Sequence, residues 1–120
     1  MTFHFKKIIF FLGFSFFLMV SLPIEAVNYY VATTGSDSNS GTETQPWRTI
    51  SKAAATLSAG DSVYIRGGIY QERVTFAGSG TATAPIKILA YPGETPIIDG
   101  NNYTIATNWG VLLYLSGDYV

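Results

Sequence analysis

The 120-residue chain has no cysteine. That excludes a disulfide framework and thiolate-bound zinc, and it removes the route to a cysteine-linked lipid anchor. Its single histidine, His4, lies in the N-terminal apolar segment, so the rest of the chain has no imidazole for proton transfer or metal ligation. Charge is scarce at 12% of residues, and the seven basic and eight acidic side chains are scattered. No basic patch marks a nucleic-acid partner. A membrane-spanning helix wants about 20 apolar residues, and the one long apolar run, from Ile8 into Leu22, falls short of that and lacks a basic stop-transfer flank.

That run follows Lys6 and Lys7 and gives way to Pro23, Ile24, Glu25 and Ala26, the order of a secretory signal peptide with cleavage expected after Ala26. The expected product is secreted, extracellular or on the cell surface, with no membrane contact after cleavage. About 94 residues then remain, 27–120, which is one domain at most.

Within this stretch Tyr29–Ala32 is β-prone, and Thr33–Gln45 is a loop rich in Thr, Ser, Gly, Asn and Asp. The spacing of Trp47, Ile50, Ala53, Ala54 and Leu57 predicts one amphipathic helix, with Arg48, Ser51, Lys52 and Thr56 facing away. Pro46 or Thr49 is expected to open it and Gly60 to close it. From Asp61 the apolar clusters are short and fenced by turn residues, predicting strands at Ser62–Arg66, Glu72–Phe76, Ile86–Ala90, Pro96–Asp99, Tyr103–Ala106 and Val111–Leu115.

The clusters recur. Val63-Tyr64-Ile65 returns as Ile86-Lys87-Ile88 and then Leu112-Leu113-Tyr114, while Val74-Thr75-Phe76 returns as Ile97-Ile98-Asp99 and then Tyr119-Val120, at offsets of 23, 26, 23 and about 22. Repeats of this length mark a solenoid, in which each rung buries its apolar side against its neighbours. Val63, Ile86 and Leu112 are then expected to sit one above another. A β-sandwich, such as an independent carbohydrate-binding module, also has short, evenly spaced strands, but no tight hairpin turn joins two alternating runs here, Asp99-Gly100 being the nearest case.

The segment YYVATTGSDSNSGTETQPWRTISKAAATLSAGDSVYIRGGIYQE, followed by APIKILAYPGETPIIDG, resembles the N-terminal part of right-handed parallel β-helix proteins of the pectate-lyase superfamily, similar to family 9 polysaccharide lyases. Matching landmarks include Gly35-Ser36-Asp37, Pro46-Trp47, Gly60-Asp61, Gly67-Gly68, Pro85-Ile86 and Asp99-Gly100. The resemblance implies an all-β fold: a cap over 27–60 containing one amphipathic capping helix, then the first rungs over 61–120. It further implies β-elimination of an acidic polysaccharide assisted by calcium held on Asp carboxylates, with a Lys or Arg as base. No residue here matches that cluster or that base, so the catalytic groups are expected beyond Val120. The chain is thereby expected to be a truncated piece of a longer enzyme, inactive and poorly folded alone. The competing expectation is a non-catalytic adhesin or glycan-binding β-helix.

The candidate site residues are few. Asp37, Asn39 and Glu43 supply hard oxygen donors suited to calcium, but Ser, Asn and Asp also serve their own backbone in such turns. Arg66 and Arg73 could pair with uronates, or with Asp61 or Glu72 as ordinary surface ion pairs. Lys87 alternates outward on its strand, with nothing near it to depress its pKa. Of the aromatics, Trp47 reads as packing and Trp109 as the candidate sugar contact. Asp61 reads as a turn former.

Overall fold

The computed structural model describes residues 22–23, 25–100, 113–115 and 117–120. The apolar N-terminal run, the expected strand Tyr103–Ala106 and Trp109 lie outside these.

Among the described residues seven short strands and one helix follow in the order β1 (Asn28–Val31), α1 (Ile50–Thr56), β2 (Ser62–Ile65), β3 (Gly68–Tyr70), β4 (Val74–Phe76), β5 (Lys87–Ala90), β6 (Pro96–Ile98) and β7 (Leu113–Leu115). They form three sheets, β1-β2-β5, β3-β6 and β4-β7, and every ladder among the described residues is parallel. Chain order visits the three sheets in turn and then visits them again in the same sequence. This topology opposes the sandwich reading, which needs antiparallel neighbours.

The register differs from the 23-residue expectation. Val63 pairs with Ile88 rather than Ile86, Ile69 pairs with Ile97, and Val74 pairs with Leu113. Ile86 mimics a strand residue because it is 2% exposed and fills the core, yet its amide bonds Tyr119 O and the ladder begins one residue later at Lys87. Ile97 therefore belongs to the column of Ile69, not to that of Val74, and Leu113 is the register partner of Val74 rather than of the Val63 column. Leu112 is outside the described residues. Tyr119 and Val120 form no strand; Val120 instead packs against the core.

Helix α1 is shorter than its apolar spacing suggests. Thr49 is its N-cap, extended in backbone and accepting from the Lys52 amide. It stops at Leu57, whose own amide bonds Ala53 O, and Gly60 makes the following turn with φ 90° rather than closing the helix. Trp47 lies before the helix and bridges Val31. Ile50 and Ala53 face inward with Trp47 and Leu57 onto a single core that includes Val31, Val63, Ile65, Tyr70, Val74, Phe76 and Ile86. Among the described residues, no helix is long and apolar enough to cross a membrane.

Candidate functional site

Several acidic side chains between Asp37 and Glu94 are occupied by the fold. Asp37 accepts from the Arg48 amide (3.0 Å), the Thr49 amide (2.9 Å) and the Thr49 hydroxyl (2.8 Å). Glu72, 8% exposed, reaches across from the strand layer to take the Ile50 and Ser51 amides, each at 2.9 Å, and the Ser51 hydroxyl at 3.0 Å. The amides from Arg48 to Lys52 are thus all satisfied by side-chain oxygens, the Lys52 amide by the Thr49 cap, which is what the start of a helix requires. Asp61 accepts from Val27 N and Ser58 N, fixing the turn that leads into β2.

A second cluster crosses the rungs on the outer face of β1-β2-β5. The Arg66 guanidinium pairs with Glu94 through Nε at 3.1 and 3.0 Å and a terminal nitrogen at 2.8 Å, and Glu94 also accepts from Gly67 N at 2.6 Å. The same guanidinium lies 4.2 Å over the Tyr91 ring, and the Tyr91 hydroxyl donates to Glu43 in the cap loop. Tyr30 stacks on Tyr64 at 5.5 Å between centroids and meets Tyr91 at 6.3 Å. One side-chain network therefore ties the cap loop, β2 and the turn after β5 together.

The environments set the titration. Burial pushes the Asp37 carboxyl up, but the bonds from the Thr49 hydroxyl and the Thr49 and Arg48 amides, with the nearby Lys52 charge, outweigh it and leave Asp37 below its ordinary 3.8. The Arg66 hydrogen bond and the Gly67 amide hold Glu94 below its ordinary 4.5. Burial, then the charges of Glu72 and Glu94, pushes Tyr70 up to about 12, so its hydroxyl stays a donor, bonded to Arg66 O at 2.8 Å. Both depressed carboxylates favour the folded state above their unfolded pKa values, and that contribution disappears as pH falls through their folded values. The unfolding midpoint should accordingly drop on acidification below pH 4.5, and Glu94→Gln should flatten that limb. Equal slopes in the two proteins would remove Glu94 from this account.

The sequence candidates fall apart into separate roles. Asp37 holds the helix start, the Asn39 side-chain amide donates to Pro46 O at 2.9 Å, and Glu43 accepts from Tyr91. Arg66 pairs with Glu94 and not with Asp61 or Glu72, whose carboxylates take backbone amides. Arg73 is exposed and has no ion pair among the described residues, and Lys87 is exposed on β5. Trp109 is outside the description. Sequence reading missed Glu72 and Glu94 as organising groups, because nothing local identifies a carboxylate whose partners lie a rung or a helix away.

Calcium does not fit the described carboxylates. No group of three or more His, Cys, Asp or Glu converges among the described residues, and Asp37, Asp61, Glu72 and Glu94 already accept from two or more protein donors each. No catalytic step through a metal is derived from them.

Several known proteins are similar to part of this chain. Pectate lyase PEL9 of Emericella nidulans is 42% identical over 77 residues, covering 62% of this chain and 19% of that protein. A rhamnogalacturonan lyase structure superposes with a TM-score of 0.68 at 30% identity, over 78% of this chain and 26% of its own. A GH136 lacto-N-biosidase from Eubacterium ramulus gives a TM-score of 0.51 at 35% identity, over 54% of this chain and 11% of its own. The chain thus spans a minor part of each relative. Residues 29–120 match the family described as the Pel9A-like, right handed beta helix region, and with its parallel sheets visited in a repeating order the chain belongs to that family.

Proposed function

We propose that the chain is the N-terminal cap and first rungs of a secreted polysaccharide-degrading protein, a pectate-lyase-like β-eliminase acting on acidic polysaccharide. The observation that carries this reading is the 42% identity to a pectate lyase over 77 residues of a chain whose described ladders are parallel. In this reading residues 1–26 are removed on secretion, the rungs close into a right-handed coil, and α1 lids its apolar end, shielding strand edges that would otherwise recruit other chains. The catalytic base, and the calcium that neutralises the uronate carboxylate in such chemistry, belong to rungs beyond residue 120.

A longer product of the same locus, incubated with pectate and calcium, should raise ultraviolet absorbance as unsaturated uronides form, and chelation should abolish the rise. The 120-residue chain alone should give none. Activity from the short chain would place the machinery within it, and silence from the long one would favour the adhesin or glycan-binding alternative.

A further inference from the structure

A groove of about 390 Å³ opens between the cap loop and the second sheet, lined by Thr33, Arg48, Thr49, Ile69, Tyr70 and Gln71. It shares Thr33 with the adjoining recess beside the Arg66–Glu94 pair, and its chemistry is uneven in an informative way. The Arg48 guanidinium has no ion pair or hydrogen bond among the described residues, although the backbone beneath it is fixed by Asp37. The Thr33 hydroxyl likewise has no protein partner among the described residues. Along one wall Ile69 is 59% exposed, and its register partner Ile97, 52% exposed, extends the same apolar strip. Two large aliphatic side chains stacked outward on adjacent strands are a costly surface to leave in water.

The helix start cannot be the anchor for a ligand here, since Asp37 and Glu72 already take its amides. Only the guanidinium is available for an anion. One cation, a hydroxyl and an aliphatic wall match a ring that carries one carboxylate, several hydroxyls and an apolar C–H face. A dianionic phosphate would call for more than one cation and has no use for the wall. We infer that the groove beside Arg48 is an accessory binding site for a hexuronate unit of an acidic polysaccharide, with Arg48 pairing the carboxylate, Thr33 a ring hydroxyl, and Ile69 the C–H face. The inference rests on the proposed acidic-polysaccharide substrate class, and it places a contact in the cap, away from any catalytic rung.

The test follows the Arg48 Nε resonance by NMR in the full-length protein with isotope-labelled arginine, titrated with a galacturonate oligomer. That resonance should shift with saturation, and the affinity read there should weaken about fivefold in Thr33→Val and in Ile69→Ser, the cost of one polar or apolar contact. Lys87→Gln, on another sheet, should leave it unchanged. An Arg48 resonance that does not move, or one that responds equally to a fully methyl-esterified oligomer, overturns the carboxylate assignment. Displacement by inorganic phosphate at equal concentration reduces the groove to an unspecific anion contact. Pectate cleavage is scored separately: a saturable shift in a protein without lyase activity keeps the site and removes the proposed enzyme, whereas lyase activity with a silent Arg48 removes the site alone.

Discussion

Trp47→Ala is expected to lower stability by about 4 kcal/mol, within the range for emptying a buried aromatic site, measured by urea unfolding of the protein that carries these rungs. Trp47 is 3% exposed, its ring stacks on Tyr29 at 4.7 Å, and its indole N–H donates to Asn39 O at 2.9 Å. The cap loop is moulded to that ring. Gly41 has φ 81° and lies so close that a Cβ there would sit 2.6 Å from the indole, and the Trp47 backbone bonds both Tyr30 and Ala32. Alanine would leave a void beneath the loop and strand the Asn39 carbonyl without its donor. Trp47→Phe keeps the stack and loses the hydrogen bond, so it should cost about 1–2 kcal/mol more than wild type. Amide exchange over residues 33–46 should accelerate in step with the loss. A cost below about 1 kcal/mol for Trp47→Ala would mean that the loop is held from elsewhere.

What could be read from the chain alone was the part governed by local rules. Thr49 announces the start of α1 because a hydroxyl can serve the Lys52 amide, and β-branched triplets fenced by Gly and Pro announce strands. β3 escaped because Gly67-Gly68 reads as punctuation. Yet Gly68 is the first strand residue, needed there because φ is 146° and a Cβ would meet Thr33 Cγ2 at 2.7 Å. The register slipped for a different reason. A parallel rung tolerates loops of unequal length between its sheets, so matching Val63 to the next similar triplet selected Ile86, a core residue one step before the ladder. Once the register is wrong, cross-rung partners cannot be deduced, and this is why Arg66 was matched with Asp61 or Glu72 instead of Glu94. The position of Arg48 beside the groove was equally hidden, since outward position on a helix start says nothing about which strand lies beside it.

Glu72→Ala should destabilise the protein by about 3 kcal/mol, since charge-assisted hydrogen bonds contribute roughly 1.5–3 kcal/mol each and do not add fully. Among the described residues its carboxylate is the only acceptor for the Ile50 amide, in a residue with 0% exposure, and for the Ser51 amide beside it. Water cannot replace it freely at such a site, so the cost includes a buried donor left without a partner. Glu72→Gln retains one acceptor oxygen and should recover about half of the loss. The neighbouring Asp37 and Thr49 serve other amides and cannot substitute. Because Glu72 belongs to the strand layer while its partners belong to α1, the lesion should appear as faster exchange at the Ala53 and Leu57 amides, with the β1–β2 ladder protected until global unfolding. If the ladder loosens together with the helix, α1 and the first rung form one cooperative unit, and Glu72 is the tie that makes them so; if neither loosens, the carboxylate is a passenger and the helix is held by Ile50 and Ala53 packing alone.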